Sequence, residues 1–214
     1  MTIPAWFLIV CFGIFMAASI FIILQVVRAA KTDDFAAPKG KALPGVLYSL
    51  TGAMSPRKKE SAYLHFPTYT MGILYHLGIF FSFFWLVLHF FRAGLPQPVI
   101  YGSVIVLLVT TLCGIIILIK RIVNAKLRYF SCPDDYFSNV LVSGFLALNA
   151  ASLLYNPMIP VLFIYSGILF LYIPLGKLRH AIYFVITRIY LGLFYGRRGV
   201  WPVDRRKTWQ TRKK

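Results

Sequence analysis

Acid is the scarcest chemistry in this chain. Six Asp and Glu stand against 23 Lys and Arg in 214 residues. The six are Asp33, Asp34, Glu60, Asp134, Asp135 and Asp204, and all fall between or beyond the apolar runs. A transporter that moves protons or cations usually carries carboxylates within its spans. Their absence, together with the absence of an internal repeat, counts against that class. Cysteine is scarce too. Cys11, Cys113 and Cys132 are too scattered for a disulfide framework or a thiolate-held cluster. Charge as a whole is thin, at 14% of residues, where a soluble domain carries about 25%. The net charge of +17 would suit nucleic acid. However, the cations lie in the connections and at helix ends, where they orient membrane helices. No nucleic-acid partner is expected.

What remains is apolar: 59% of residues are hydrophobic, with a mean hydropathy of +0.72. That composition describes an all-α, polytopic membrane bundle. Five spans are expected. The first, 3–27, has no basic residue before it and reads as a retained helix rather than a signal peptide. The second is 63–92, the third about 99–119 and the fourth about 138–155. The fifth runs from about 159 to His180 or beyond, with a kink near Ile173 because Pro174 lies within it. Residues 1–196 then form the transmembrane domain, and 197–214 a basic cytoplasmic tail. The long connection 28–62 holds a weakly apolar patch, Leu43 to Met54, suited to the membrane interface. It serves either to dock a peripheral subunit or as a plain solvated connection. The polar stretch from Tyr129 to Ser138 offers Ser131, Asp134, Asp135 and Ser138 as helix caps. Every Lys and Arg except Arg92 lies in the connections after the first and third spans, near the inner end of the fifth, or in the tail. The positive-inside rule therefore puts the N-terminus outside and the C-terminus in the cytoplasm, in the inner (cytoplasmic) membrane.

Histidine is rare, and its placement carries the functional reading. His65, His76 and His89 all lie in the second run, and His180 near the end of the fifth. An imidazole in hydrocarbon needs a partner. A helix–helix hydrogen bond is the plain one; a haem iron is the other, since two helices offering imidazoles to the inside of a bundle can hold a b-type haem. At 100° per residue His65 and His76 fall within about 20° of each other, and His89 about 220° further round. His89 reads as an interfacial residue. His180 can face either His65 or His76, and spacing alone leaves both open. Lys177 and Arg179 beside it can snorkel to the interface or pair with haem propionates. A second haem would need another ligand, such as Met158.

These residues also carry a resemblance. Tyr75-His76-Leu-Gly-Ile-Phe and Ile173-Pro174-Leu-Gly-Lys177-Leu-Arg-His180 resemble the haem-ligand segments of the respiratory nitrate reductase gamma subunit. They resemble equally those of its relatives in sulfite-reduction-associated and heterodisulfide-reductase-type membrane complexes. Cys132-Pro-Asp-Asp-Tyr-Phe-Ser138 is similar to the loop before the fourth helix in the latter group. The resemblance covers about residues 1–195. It implies a membrane b-type cytochrome that exchanges electrons between the quinone pool and an iron–sulfur protein subunit on the cytoplasmic side. It makes His76 and His180 the axial ligands of one haem; by spacing alone, His65 remains an alternative ligand. The family's second haem uses a histidine near the start of the fifth helix; the region Met158 to Ser166 has none. Quinol oxidation would also need a proton acceptor, for which His65 is the first candidate and Tyr63, Tyr69 and Lys177 are others. Anionic lipids are expected on the basic connections. The competing expectation is a haem-free anchor that tethers a cytoplasmic-side redox enzyme.

Overall fold

The computed structural model describes residues 2–29, 36–55, 65–91 and 94–203. Tyr63, Arg92 and the tail beyond Val203 lie outside them. Among the described residues there is no strand. Eight α-helices follow in order: α1 (Ile3–Ala29), α2 (Ala42–Leu50), α3 (Phe66–Phe90), α4 (Gln97–Val123), α5 (Ala125–Tyr129), α6 (Pro133–Leu154), α7 (Ile159–Tyr172) and α8 (His180–Arg197). Four of them, α1, α3, α4 and α6, are long and apolar enough to cross a membrane. The segments Asn156–Tyr172 and Lys177–Arg197 meet that standard only when taken together, as a broken span or a re-entrant loop.

Proline sets the starts. It stands in the first turn of α3, α4, α6 and α7, where its missing N–H costs nothing and its fixed φ suits the helix. The start of α6 lies earlier than the expected 138. Pro133 is its first residue, and the carboxylate of Asp135 reaches back 3.0 Å to the Cys132 N–H. This is a capping box closed from the third helical position. The stretch after α4 is also more helical than its polarity suggests. Asn124 accepts the N–H groups of Lys126 and Leu127 at 3.0 and 3.2 Å and starts α5.

The chain divides into two compact units. The first holds the residues to Ser19 and those from His65 to Arg179. Its interior is built around Leu107, Phe145, Leu146, Leu162 and Leu169. Small residues let its helices close up. A Cβ on Gly78 would strike the Thr110 side chain, one on Gly114 would strike Tyr75 and Ser143, and one on Gly167 would strike Phe7. Hydroxyls sit inside with them. Ser82, Ser103, Thr110, Thr111, Ser143, Ser152 and Ser166 are buried, while Phe80, Ile105, Leu108 and Leu112 face outward. Small polar residues inside and large apolar residues outside suit helices packed in lipid.

The second unit holds Ile20–Leu64 and the chain from His180 onward. Its core contact is α2 on α8. Gly45 meets the backbone of Gly192 and Gly196, and a Cβ there would lie 2.4 Å from the Gly192 carbonyl oxygen. The backbone N–H groups of Lys39 and Gly40 both donate to the Arg197 carbonyl, at 2.8 and 2.9 Å. They satisfy an acceptor that a helix end leaves open. Tyr48, Tyr195 and Trp201 cluster beside this contact.

Pro174 does more than kink the expected fifth helix. α7 ends at Tyr172, a turn spans Ile173–Leu175, and a short 3-10 turn (Lys177–Arg179) precedes α8. Proline has no N–H to donate, and its ring meets the carbonyl four residues back. The N–H groups of Leu175 and Gly176 both turn to the Tyr172 carbonyl, each at 3.0 Å.

Candidate functional site

α3 is the element on which three histidines can be compared. His76 lies about three turns into α3 and is exposed. Its Nδ1 lies 2.7 Å from the Gly72 carbonyl oxygen. A carbonyl can only accept, so Nδ1 carries the proton and the lone pair sits on Nε2. The hydrogen bond fixes both tautomer and ring direction, as it does for metal-binding imidazoles. The same helix face is bare one turn back, where a Cβ on Gly72 would meet nothing within 4 Å. An imidazole with a free Nε2 on an open, uncharged helix face can coordinate a metal or accept a hydrogen bond. The donor chemistry at His76 is compatible with a haem ligand, but the ring lies on an exposed helix face rather than toward the inside of the bundle, where the sequence reading puts it.

His89 has the opposite arrangement. Its Nε2 lies 3.0 Å from Ser152 Oγ on α6, and that hydroxyl also donates to the Asn149 carbonyl at 2.8 Å. A serine has one proton. With that proton on the carbonyl, Nε2 of His89 must donate to Oγ. His89 is thus a helix–helix cross-link, the plain partner for a membrane histidine. A cavity of about 290 Å³ lies beside it, lined also by Thr2, Ala5, Phe90, Ile159, Pro160 and Phe163.

His65 stands at the N-cap of α3 with φ −136° and ψ 43°. Those are not helical angles, so the wheel that put it on the His76 face starts one residue too early. It is exposed, and its carbonyl accepts the Tyr69 N–H at 3.0 Å. His180 is exposed and opens α8. His76 belongs to the first unit and His180 to the second. Among the described residues, no group of three or more His, Cys, Asp and Glu side chains could hold a metal ion.

The two cations before His180 differ. The Lys177 ammonium pairs with the carboxylate of Asp135, which also holds Arg121 at 3.0 Å. The Lys177 backbone N–H donates to Asp134 at 2.6 Å, and the Tyr172 hydroxyl donates to the same carboxylate. The start of α6 therefore clasps both sides of the break after α7. Arg179 is exposed, and one of its N–H groups donates to the Leu175 carbonyl at 3.2 Å. In sequence, Asp134 and Asp135 read as helix caps. The pairing of two adjacent acids with a lysine 42 or 43 residues further on leaves no local trace. A signal was there for α8: Gly192 and Gly196, four apart, match the small-residue spacing of close helix pairs.

Neither a family model, nor a curated protein, nor a solved structure matches the chain.

Proposed function

We propose that the chain is the haem b subunit of a membrane respiratory complex, passing electrons between the quinone pool and a cytoplasmic-side iron–sulfur partner. The observation that carries this reading is the His76 ring, tethered through Nδ1 to Gly72 with Nε2 left open. His180 supplies the second imidazole, as the resemblance of its segment implies. When bound, a bis-imidazole haem takes up and releases one electron at a time, at a potential set by its ligands, burial and nearby charge. The chain's residues supply the rest. The Gly72 carbonyl holds the His76 ring in one orientation and makes Nε2 a stronger donor. Arg179 retains N–H donors that a propionate can use. Lys177 is engaged by Asp134 and Asp135. His65 at the start of α3 is the candidate acceptor for a quinol proton.

The histidines provide the test. His76→Ala is expected to abolish the low-spin b-type spectrum of the purified chain. His89→Ala, which removes the hydrogen bond to Ser152 and the ring contact with Trp85, is expected to keep it. The reverse pattern would refute the assignment. A stable chain with no reducible band at all would favour the haem-free anchor.

A further inference from the structure

A second surface lies in the α2–α8 pair, independent of the histidines. α2 is nine residues long. Gly45 and Ser49 lie against the pair's interior, while Leu43, Leu47 and Leu50 are 68%, 56% and 39% exposed. These three leucines recur at the i, i+4, i+7 spacing of one helix face, opposite the glycine contact. The glycines bring the two backbones so close that α2 cannot turn this stripe inward: a Cβ on Gly192 would lie 2.4 Å from the Val46 Cα. Among the described residues the pair is also one-signed. Residues 36–55 and 180–203 contain Lys39, Lys41, Arg188, Arg197 and Arg198 and not one Asp or Glu. The Arg198 guanidinium lies 3.6 Å over the Phe194 ring, so an aromatic face and a cation are presented together. An apolar stripe on a helix pair whose described charged residues are all cationic is the pattern of a helix lying in the headgroup region of an anionic leaflet.

We infer that the α2–α8 pair is a lipid-seated slab. Leu43, Leu47 and Leu50 enter the acyl boundary of the leaflet, and Lys39, Lys41, Arg188, Arg197 and Arg198 bind the phosphates of anionic phospholipids. An acidic protein partner would match the charge. An acidic partner with an apolar groove would cover the leucines as well; the bilayer is the chosen occupant because four of the chain's helices are long and apolar enough to cross one.

The test uses the full chain in vesicles, with Cys11, Cys113 and Cys132 replaced by serine and a nitroxide on Leu47→Cys. In phosphatidylcholine mixed with phosphatidylglycerol, the label should be open to oxygen and shielded from a water-soluble nickel chelate. Its depth should be about 5–10 Å below the headgroups. In pure phosphatidylcholine, or with the five cations changed to glutamine, it should shift toward water. A label equally open to the chelate in both lipids would overturn the inference. So would equal depth in both, and so would spin–spin broadening that shows a second copy on the stripe. Photoactivatable phosphatidylglycerol on the unaltered chain gives an independent reading: adducts within Ala42–Leu50 are expected, and their absence would contradict the seat.

Discussion

At the scale of single residues, the hydrogen-bond partner decides what a histidine can do. His76 and His89 lie on one helix and differ in which nitrogen is left open, because one faces a carbonyl and the other a serine already committed to a carbonyl. Sequence supplies the histidines but not these partners. Gly72 is four residues from His76 and could have been foreseen; Ser152 is 63 residues from His89 and could not. Asp135 does two jobs that substitution can separate. Asp135→Asn keeps an oxygen to cap the Cys132 N–H and removes the charge opposite Arg121 and Lys177. Asp135→Ala removes both, and losing a cap costs about 1 kcal/mol. Trypsin is expected to nick the asparagine variant faster than the parent at Lys177 and Arg179, with the helix content unchanged. The alanine variant should also lose thermal stability. Equal nicking of parent and asparagine variant would mean that the ion pair does not guard the break.

At the scale of elements, most helices are legible because a long apolar run has few alternatives in a membrane. α1, α3 and α4 lie where hydropathy puts them. The starts of α3 and α4 are set by a proline in the first turn, with no side-chain cap at either, and hydropathy does not report this. Two features escape the pattern. Pro174 reads as a kink, yet Gly176 follows closely enough for the chain to leave the helix altogether. The patch from Leu43 to Met54 reads as weakly apolar, and only its glycine contact with α8 makes it a packed helix. That contact has little tolerance. Gly45→Leu places a side chain where the Gly192 carbonyl and Gly196 backbone already sit, and overpacking of this kind typically costs about 1–3 kcal/mol. Proteolysis between α2 and α3 should accelerate in Gly45→Leu and not in Leu43→Ala, whose side chain faces outward. Similar rates for both would show that α2 is not held by its glycine face.

At the scale of the whole molecule, four or five spans and an uneven charge distribution lead to an orientation that can be read with the chain's own thiols. Cys132 is exposed, and Cys11 and Cys113 are buried. An impermeant maleimide should label Cys132 in inverted vesicles and leave it untouched in right-side-out ones, while Cys11 and Cys113 stay silent in both. Labelling from the outer side would reverse the orientation and, with it, the side on which an iron–sulfur partner could dock. The proposed function rests on two imidazoles, of which His76 has its Nδ1 held by the Gly72 carbonyl. Its most direct test is a pyridine haemochrome count, with a dithionite-reduced minus oxidised spectrum, on the purified chain from a haem-replete host. One b-type haem per chain is the predicted result. A folded, monodisperse chain without haem would contradict it.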